Sequence, residues 1–149
     1  MSQLKQNLAD NIIASMKARK LERVKVLRNV QAVIKQIEID RRIELDDADV
    51  LEVLQKQLKQ RQESLTIFTE NNRDDLATKE QFEIDIINEF MPKQMDDAEL
   101  SALVNAEIAA QGATSMRDMG SVMGVLKNKT AGRADPALIS TLVKQALQG

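Results

Sequence analysis

The chain has 149 residues, 43% apolar and 30% charged, with a formal charge of -2; that is enough for one ordinary domain or two small ones, and too little for a large enzyme. It contains no cysteine and no histidine, which excludes disulfides, thiolate nucleophiles and Ser-His or Cys-His catalysis and removes the commonest metal ligands. The charge is unevenly spread: residues 1–35 carry eight Lys/Arg against two acids, residues 36–116 eight against nineteen, and residues 117–149 five against two, so either end could meet a polyanion.

No glycine or proline precedes Pro92, and a block free of both breakers reads as long helices joined by short polar turns. Ser2 caps a first helix through about Ala18, with Leu4, Leu8, Ile12 and Met16 at four-residue spacing expected inside. A second helix, Leu21 to Arg42, places Val24, Leu27, Val30, Ile34 and Ile37 on one side. Asp46 starts a third, with Asp49 in its first turn; it runs to about Glu70 with Leu51, Leu54, Leu58, Leu65 and Phe68 recurring at three and four and Arg61 interrupting the seam. A fourth helix, Asp74 to Phe90, is expected to bury Leu76, Phe82, Ile86 and Phe90.

Pro92 ends the helical ladder, and FMPKQMDD reads as a connection between domains 1–92 and 93–149. Asp96 with Glu99 has the pattern of a capping box for a helix through Ala110, and Gly112 stands where a left-handed residue is wanted. Ser115 with Asp118 repeats the pattern for a helix to about Asn128. Asp135 before Pro136 starts the last helix, with Leu138, Leu142, Val143 and Leu147 facing neighbours. The predicted fold is all-α: an N-terminal array of long helices followed by a small C-terminal three-helix bundle.

The stretch GSVMGVLKNKTAGRAD concentrates three of the five glycines beside three cations. Gly120 and Gly124 lie one turn apart on one helix face, at roughly 1 kcal/mol each relative to alanine. Either another helix backbone comes close there, with Met119 and Met123 filling the sides, or a nucleic-acid backbone approaches. Lys127, Lys129 and Arg133 flank a loop of amides around Gly132 that could hold a phosphate; equally, cations late in a helix stabilise its negative end with no ligand. MKARKLERVKVLR is a second basic block, read either as a contact surface or as a solvated face. The acidic runs coincide with helix starts, so no metal, cofactor or acid/base pair is assigned.

The succession MKARKLERVKVLR, KQRQESLTIF, NNRDDLATKEQFEIDIINEFMPKQMDDAEL and SMRDMGSVMGVLKNKTAGRADPALISTLVKQAL resembles the YqeY-like proteins of the GatB/YqeY family over essentially the whole chain. That resemblance implies a stand-alone relative of the all-helical tail that helps the glutamine-dependent tRNA amidotransferase hold tRNA. The family's C-terminal motif falls here on Gly120, Met123, Gly124, Lys127, Lys129, Gly132, Arg133, Ala134 and Asp135. The amidotransferase's catalytic cradle has no counterpart here, and isolated serines such as Ser64 or Ser121 supply no nucleophile, so the expectation is a tRNA-binding adaptor rather than a carbon-nitrogen ligase. The alternative is a helical module docking on an amidotransferase or tRNA synthetase without RNA contact. An N-terminus broken by charge, with no apolar stretch for a leader or a span, leads to the expectation of a cytoplasmic protein with no membrane partner.

Overall fold

The computed structural model describes residues 2–148, and among these the chain holds seven α-helices, one 3₁₀ turn and no strand. They divide into two compact units, Met1–Met91 and Pro92–Gly149.

The first unit contains α1 (Gln3–Lys17), α2 (Leu21–Arg41), α3 (Asp47–Glu70) and α4 (Asp74–Asn88). Ser2 caps α1 by accepting from the Lys5 amide, and Asp46 with Asp49 forms a reciprocal capping box at α3, so two starts follow from side chains able to satisfy otherwise orphaned amides. Leu8 and Ile12 of α1, Val24, Leu27, Val30 and Ile34 of α2, and Val50, Leu54 and Leu58 of α3 share one core with Ile84, Ile86 and Ile87 of α4. Three expected core positions differ. Met16 is 48% exposed, because α1 has turned away from the core by its last turn and Ser15 is buried there instead. Phe82 is 44% exposed, because α4 turns Glu80, Glu83, Ile84 and Ile87 inward, whereas of the other predicted positions Ile86 is buried and Leu76 and Phe90 are partly buried. In the second unit Leu138 is 41% exposed and its neighbour Ile139 takes the buried place.

Polar ties fix how these helices meet. Arg23 of α2 donates to Ser15 Oγ (3.1 Å), to Asn11 Oδ1 (3.1 Å) and to Glu89 Oε2 (2.5 Å). That guanidinium is therefore consumed by α1 and the end of α4 and is no part of a free basic face.

Helix ends show how the chain manages with so few glycines. After α1 the Lys20 amide bonds the Ser15 carbonyl (2.9 Å) and the Arg19 amide bonds that of Met16 (3.1 Å), with Arg19 left-handed at φ 58°. The same Schellman pattern closes α2 through Arg42 (φ 54°) and α3 through Asn72 (φ 57°). Glycine is the relaxed residue at such a position. Exposed Arg42 makes no side-chain hydrogen bond or ion pair among the described residues. Arg42→Gly is therefore expected to stabilise the protein by about 0.5–1 kcal/mol, the relief of left-handed strain exceeding the entropy gained by the unfolded chain. A raised urea midpoint at unchanged slope is the readout.

The second unit contains α5 (Asp97–Gln111), the 3₁₀ turn (Met116–Asp118), α6 (Met119–Lys129) and α7 (Pro136–Gln148). Its core gathers Leu100 and Val104 of α5, Val122 and Leu126 of α6, and Ile139, Val143 and Leu147 of α7. Asp96 caps α5 through the Glu99 amide (2.7 Å), but the Glu99 carboxylate reaches Arg133 instead of closing a capping box. Gly112 ends α5 left-handed at φ 61°. Asp118 accepts from the amides of Thr114 (2.9 Å) and Ser115 (3.3 Å), and Asp135 accepts from Ala137 (2.9 Å) beside Pro136.

Candidate nucleic-acid interface

Burial of Val122 and Leu126, four residues apart, decides which way α6 faces: Gly120, Ser121, Gly124, Lys127 and Asn128 are turned to solvent. A Cβ built on Gly120 or Gly124 would meet nothing within 4 Å. The two glycines are therefore not there to let another helix of this unit come close. Met119 and Met123 are half-buried and pack on the core side.

The loop that follows is built inward. Thr130 is buried and donates to the Leu126 carbonyl (2.7 Å), and Gly132 is left-handed at φ 73° and buried. Its carbonyl accepts from Gln94 Nε2 (2.7 Å), and the Arg133 carbonyl accepts from the Met95 amide (2.9 Å). The loop is thus laced to the segment leading into α5, and the positive φ explains the glycine at 132 without a ligand.

Its cations are drawn apart. Lys129 Nζ lies 2.9 Å from Glu107 Oε2, and Arg133 donates to Glu99 Oε2 (3.0 Å) and to the Lys93 carbonyl (2.9 Å). Glu99 and Glu107 are eight residues apart on α5, about 12 Å along its axis, so the two side chains do not converge on one anion. Lys127 is exposed on the glycine face of α6 and also has a contact within the chain. The expectation that three cations project together from one small region is corrected: the structure brings Lys127 together with Gly120 and Gly124, and separates Lys129 and Arg133 from them and from each other.

Glu107 is the residue the sequence reading missed. Its side chain is 8% exposed, and its carboxyl is held below the usual carboxylate range by the Gln111 amide (2.7 Å) first and by Lys129 second. The α5 sequence does hold a signal, an acid flanked by alanines and apolar residues with Gln111 four positions on, but its charged partner sits twenty-two positions away and no local spacing announces that one. Lys129 is thereby partly structural, the counter-charge of a buried acid.

The sequence pattern of the Yqey-like protein family matches residues 5–147. The chain belongs to the YqeY-like family. Among its relatives, Altered inheritance of mitochondria protein 41, mitochondrial, of Eremothecium gossypii is 32% identical over 127 residues, covering 85% of this chain and 64% of that protein. The protein of the same name from Saccharomyces cerevisiae is 34% identical over 101 residues, 67% of this chain and 52% of its own length; that of Vanderwaltozyma polyspora is 28% identical over 100 residues, 62% and 54%. This YqeY-like chain therefore spans between about half and two thirds of these relatives.

The relatives are named as mitochondrial proteins, which corrects the expectation of a cytoplasmic one. That expectation rested on the lack of an apolar leader. Mitochondrial targeting segments are amphipathic and Arg-rich rather than apolar, so the feature it used does not discriminate between the two compartments.

Proposed function

We propose that this YqeY-like chain is a tRNA-binding adaptor, related to the tail of the glutamine-dependent tRNA amidotransferase and without a catalytic step of its own. The observation that carries the reading is the solvent-facing pair Gly120 and Gly124, where an added Cβ meets nothing. A glycine in the interior of a helix costs about 1 kcal/mol relative to alanine, and no close contact among the described residues accounts for either. A flat, side-chain-free strip next to Lys127 suits close passage of a phosphodiester backbone over α6. Lys129 and Arg133, whose side chains are 51% and 34% exposed, lie away from this strip and could meet the same polyanion only at other phosphates. Surface ion pairs are worth about 0–1 kcal/mol, so the Glu99 partner of Arg133 is readily exchanged for a phosphate, while the buried Glu107 holds Lys129 more firmly. With three aromatics in the chain, recognition runs through backbone and shape rather than stacking on bases.

The test is a gel-shift titration of tRNA with the double variant Gly120→Ala/Gly124→Ala. Because the new methyl groups meet no neighbour, the variant is expected to be more stable by about 1–2 kcal/mol and to bind tRNA about tenfold more weakly. The wild-type log-log salt slope is expected to be shallow, about -2 to -4. Undiminished tRNA affinity in the double variant sinks the reading.

Exposed Ile39 (60%), Ile43 (47%) and Ile67 (56%) on the first unit favour a second reading, docking on an amidotransferase or tRNA synthetase without RNA contact. Recovery of the protein from lysate with and without ribonuclease separates the two: partners that survive digestion support docking.

A further inference from the structure

The turn joining α1 to α2 displays side chains that the first unit does not use. Lys17, Arg19 and Lys20 are exposed and form no ion pair among the described residues. Arg28, exposed on α2, reaches only the Met16 sulfur among the described residues, at 3.5 Å. Set among these cations, Leu21 is 65% exposed and Met16 is 48% exposed, with Ile13 one turn earlier at 52%. These residues gather around the three-residue turn between α1 and α2, so cations and apolar side chains share one small surface.

We infer that the tip is a peripheral contact for an anionic phospholipid surface, with Met16 and Leu21 entering the headgroup-hydrocarbon boundary and the cations meeting the headgroups. The patch asks for negative charge and hydrocarbon side by side. RNA phosphates would satisfy the cations and leave Leu21 and Met16 against a charged backbone. A lipid interface supplies both at once, anionic headgroups directly above hydrocarbon. No helix among the described residues is long and apolar enough to cross a membrane, so the contact is with the surface. The inference is independent of the tRNA reading, since it uses the first unit and none of the α6 face.

The test is co-sedimentation of the full chain with phosphatidylcholine vesicles, with and without about 30% phosphatidylserine, in about 0.1 M salt. Sedimentation is expected only with the anionic vesicles. Each cation contributes about fivefold in partition, so Lys17→Gln/Arg19→Gly/Lys20→Gln lowers binding about a hundredfold. Glycine relaxes the left-handed backbone at position 19, so that loss is not loss of fold. Met16→Ser/Leu21→Ser, at two exposed positions, lowers binding about tenfold while the helical circular dichroism is unchanged. Failure to sediment with anionic vesicles overturns the inference. So does wild-type binding by the serine variant, which would mean charge attraction without insertion. A triple variant that loses tRNA affinity in place of vesicle affinity overturns it in favour of RNA at the tip.

Discussion

Arg61→Ala is expected to destabilise the protein by about 3 kcal/mol, the cost of breaking a partly buried ion cluster from one side. Arg61 sits in the apolar seam of α3, its side chain 20% exposed. It donates through Nη1 to Glu83 and stands 3.7 Å from Glu80, too far for a hydrogen bond, and these carboxylate side chains are only 14% and 19% exposed. Glu80 and Glu83 share a face of α4, three residues apart, so alanine leaves two like charges together with no cation and little water. The cluster is also imperfectly satisfied: Gln57 Oε1, Arg61 Nε and Glu80 Oε2 are buried and make no hydrogen bond among the described residues. Replacing the whole cluster should therefore cost far less than breaking it. The triple variant Arg61→Met/Glu80→Leu/Glu83→Leu is expected to lie within about 1 kcal/mol of the wild type or above it. Urea midpoints decide; a triple variant as unstable as Arg61→Ala would show that the ions contribute net stability.

The seam also shows what can and cannot be read from a sequence. Val24, Leu27, Val30 and Ile34 were legible because a periodic apolar stripe depends only on the helix's own geometry, and the caps at Ser2 and Asp46 were legible because their partners lie three residues away. Arg61 looked like an interruption because Glu80 and Glu83 belong to the next helix. The left-handed ends at Arg19, Arg42 and Asn72 carry no glycine signal; there the closing Schellman bonds tolerate a non-glycine residue. Phe82 lies outside the register that Ile84 and Ile87 set, so its hydrophobicity does not carry it into the core.

The candidate site divides along the same line. That Gly120 and Gly124 share a face is a property of one helix and could be read. Whether another helix approaches them is a tertiary fact, and the open space over both reverses the ordinary explanation. The loop cations could be found, but not their separation: the Glu107 and Glu99 side chains that draw Lys129 and Arg133 to different turns of α5 come from an earlier segment. Charge counting sees three cations in seven residues, whereas the folded unit spends two of them on its own acids.

Asp47→Ala is expected to cost about 2–3 kcal/mol at neutral pH and much less in acid. Asp47 opens α3, yet its carboxylate accepts from the Ser2 hydroxyl and from the Leu4 amide (3.0 Å), pinning the start of α1 onto the start of α3. Ser2 is buried at 6% exposure and spends its own oxygen on the Lys5 amide, so alanine at 47 strands two donors, one of them out of reach of water. The α3 cap survives, because Asp46 and Asp49 make it between themselves. The Ser2 hydroxyl first, and the Leu4 amide second, hold the Asp47 carboxyl below its ordinary 3.8. Lys5 and the Leu45 amide do the same for Glu38, below 4.5. A carboxyl depressed in the folded state adds stability that is complete above its unfolded value and is lost as pH falls through the folded one. The wild type should therefore lose stability from about pH 5 downward. The gap to Asp47→Ala should narrow over that range, because protonation removes from the wild type the charge that the variant already lacks. Urea titrations at about pH 7 and pH 3 make the comparison, and an undiminished gap at the lower pH would mean that the carboxylate acts by filling space rather than by accepting these two hydrogen bonds.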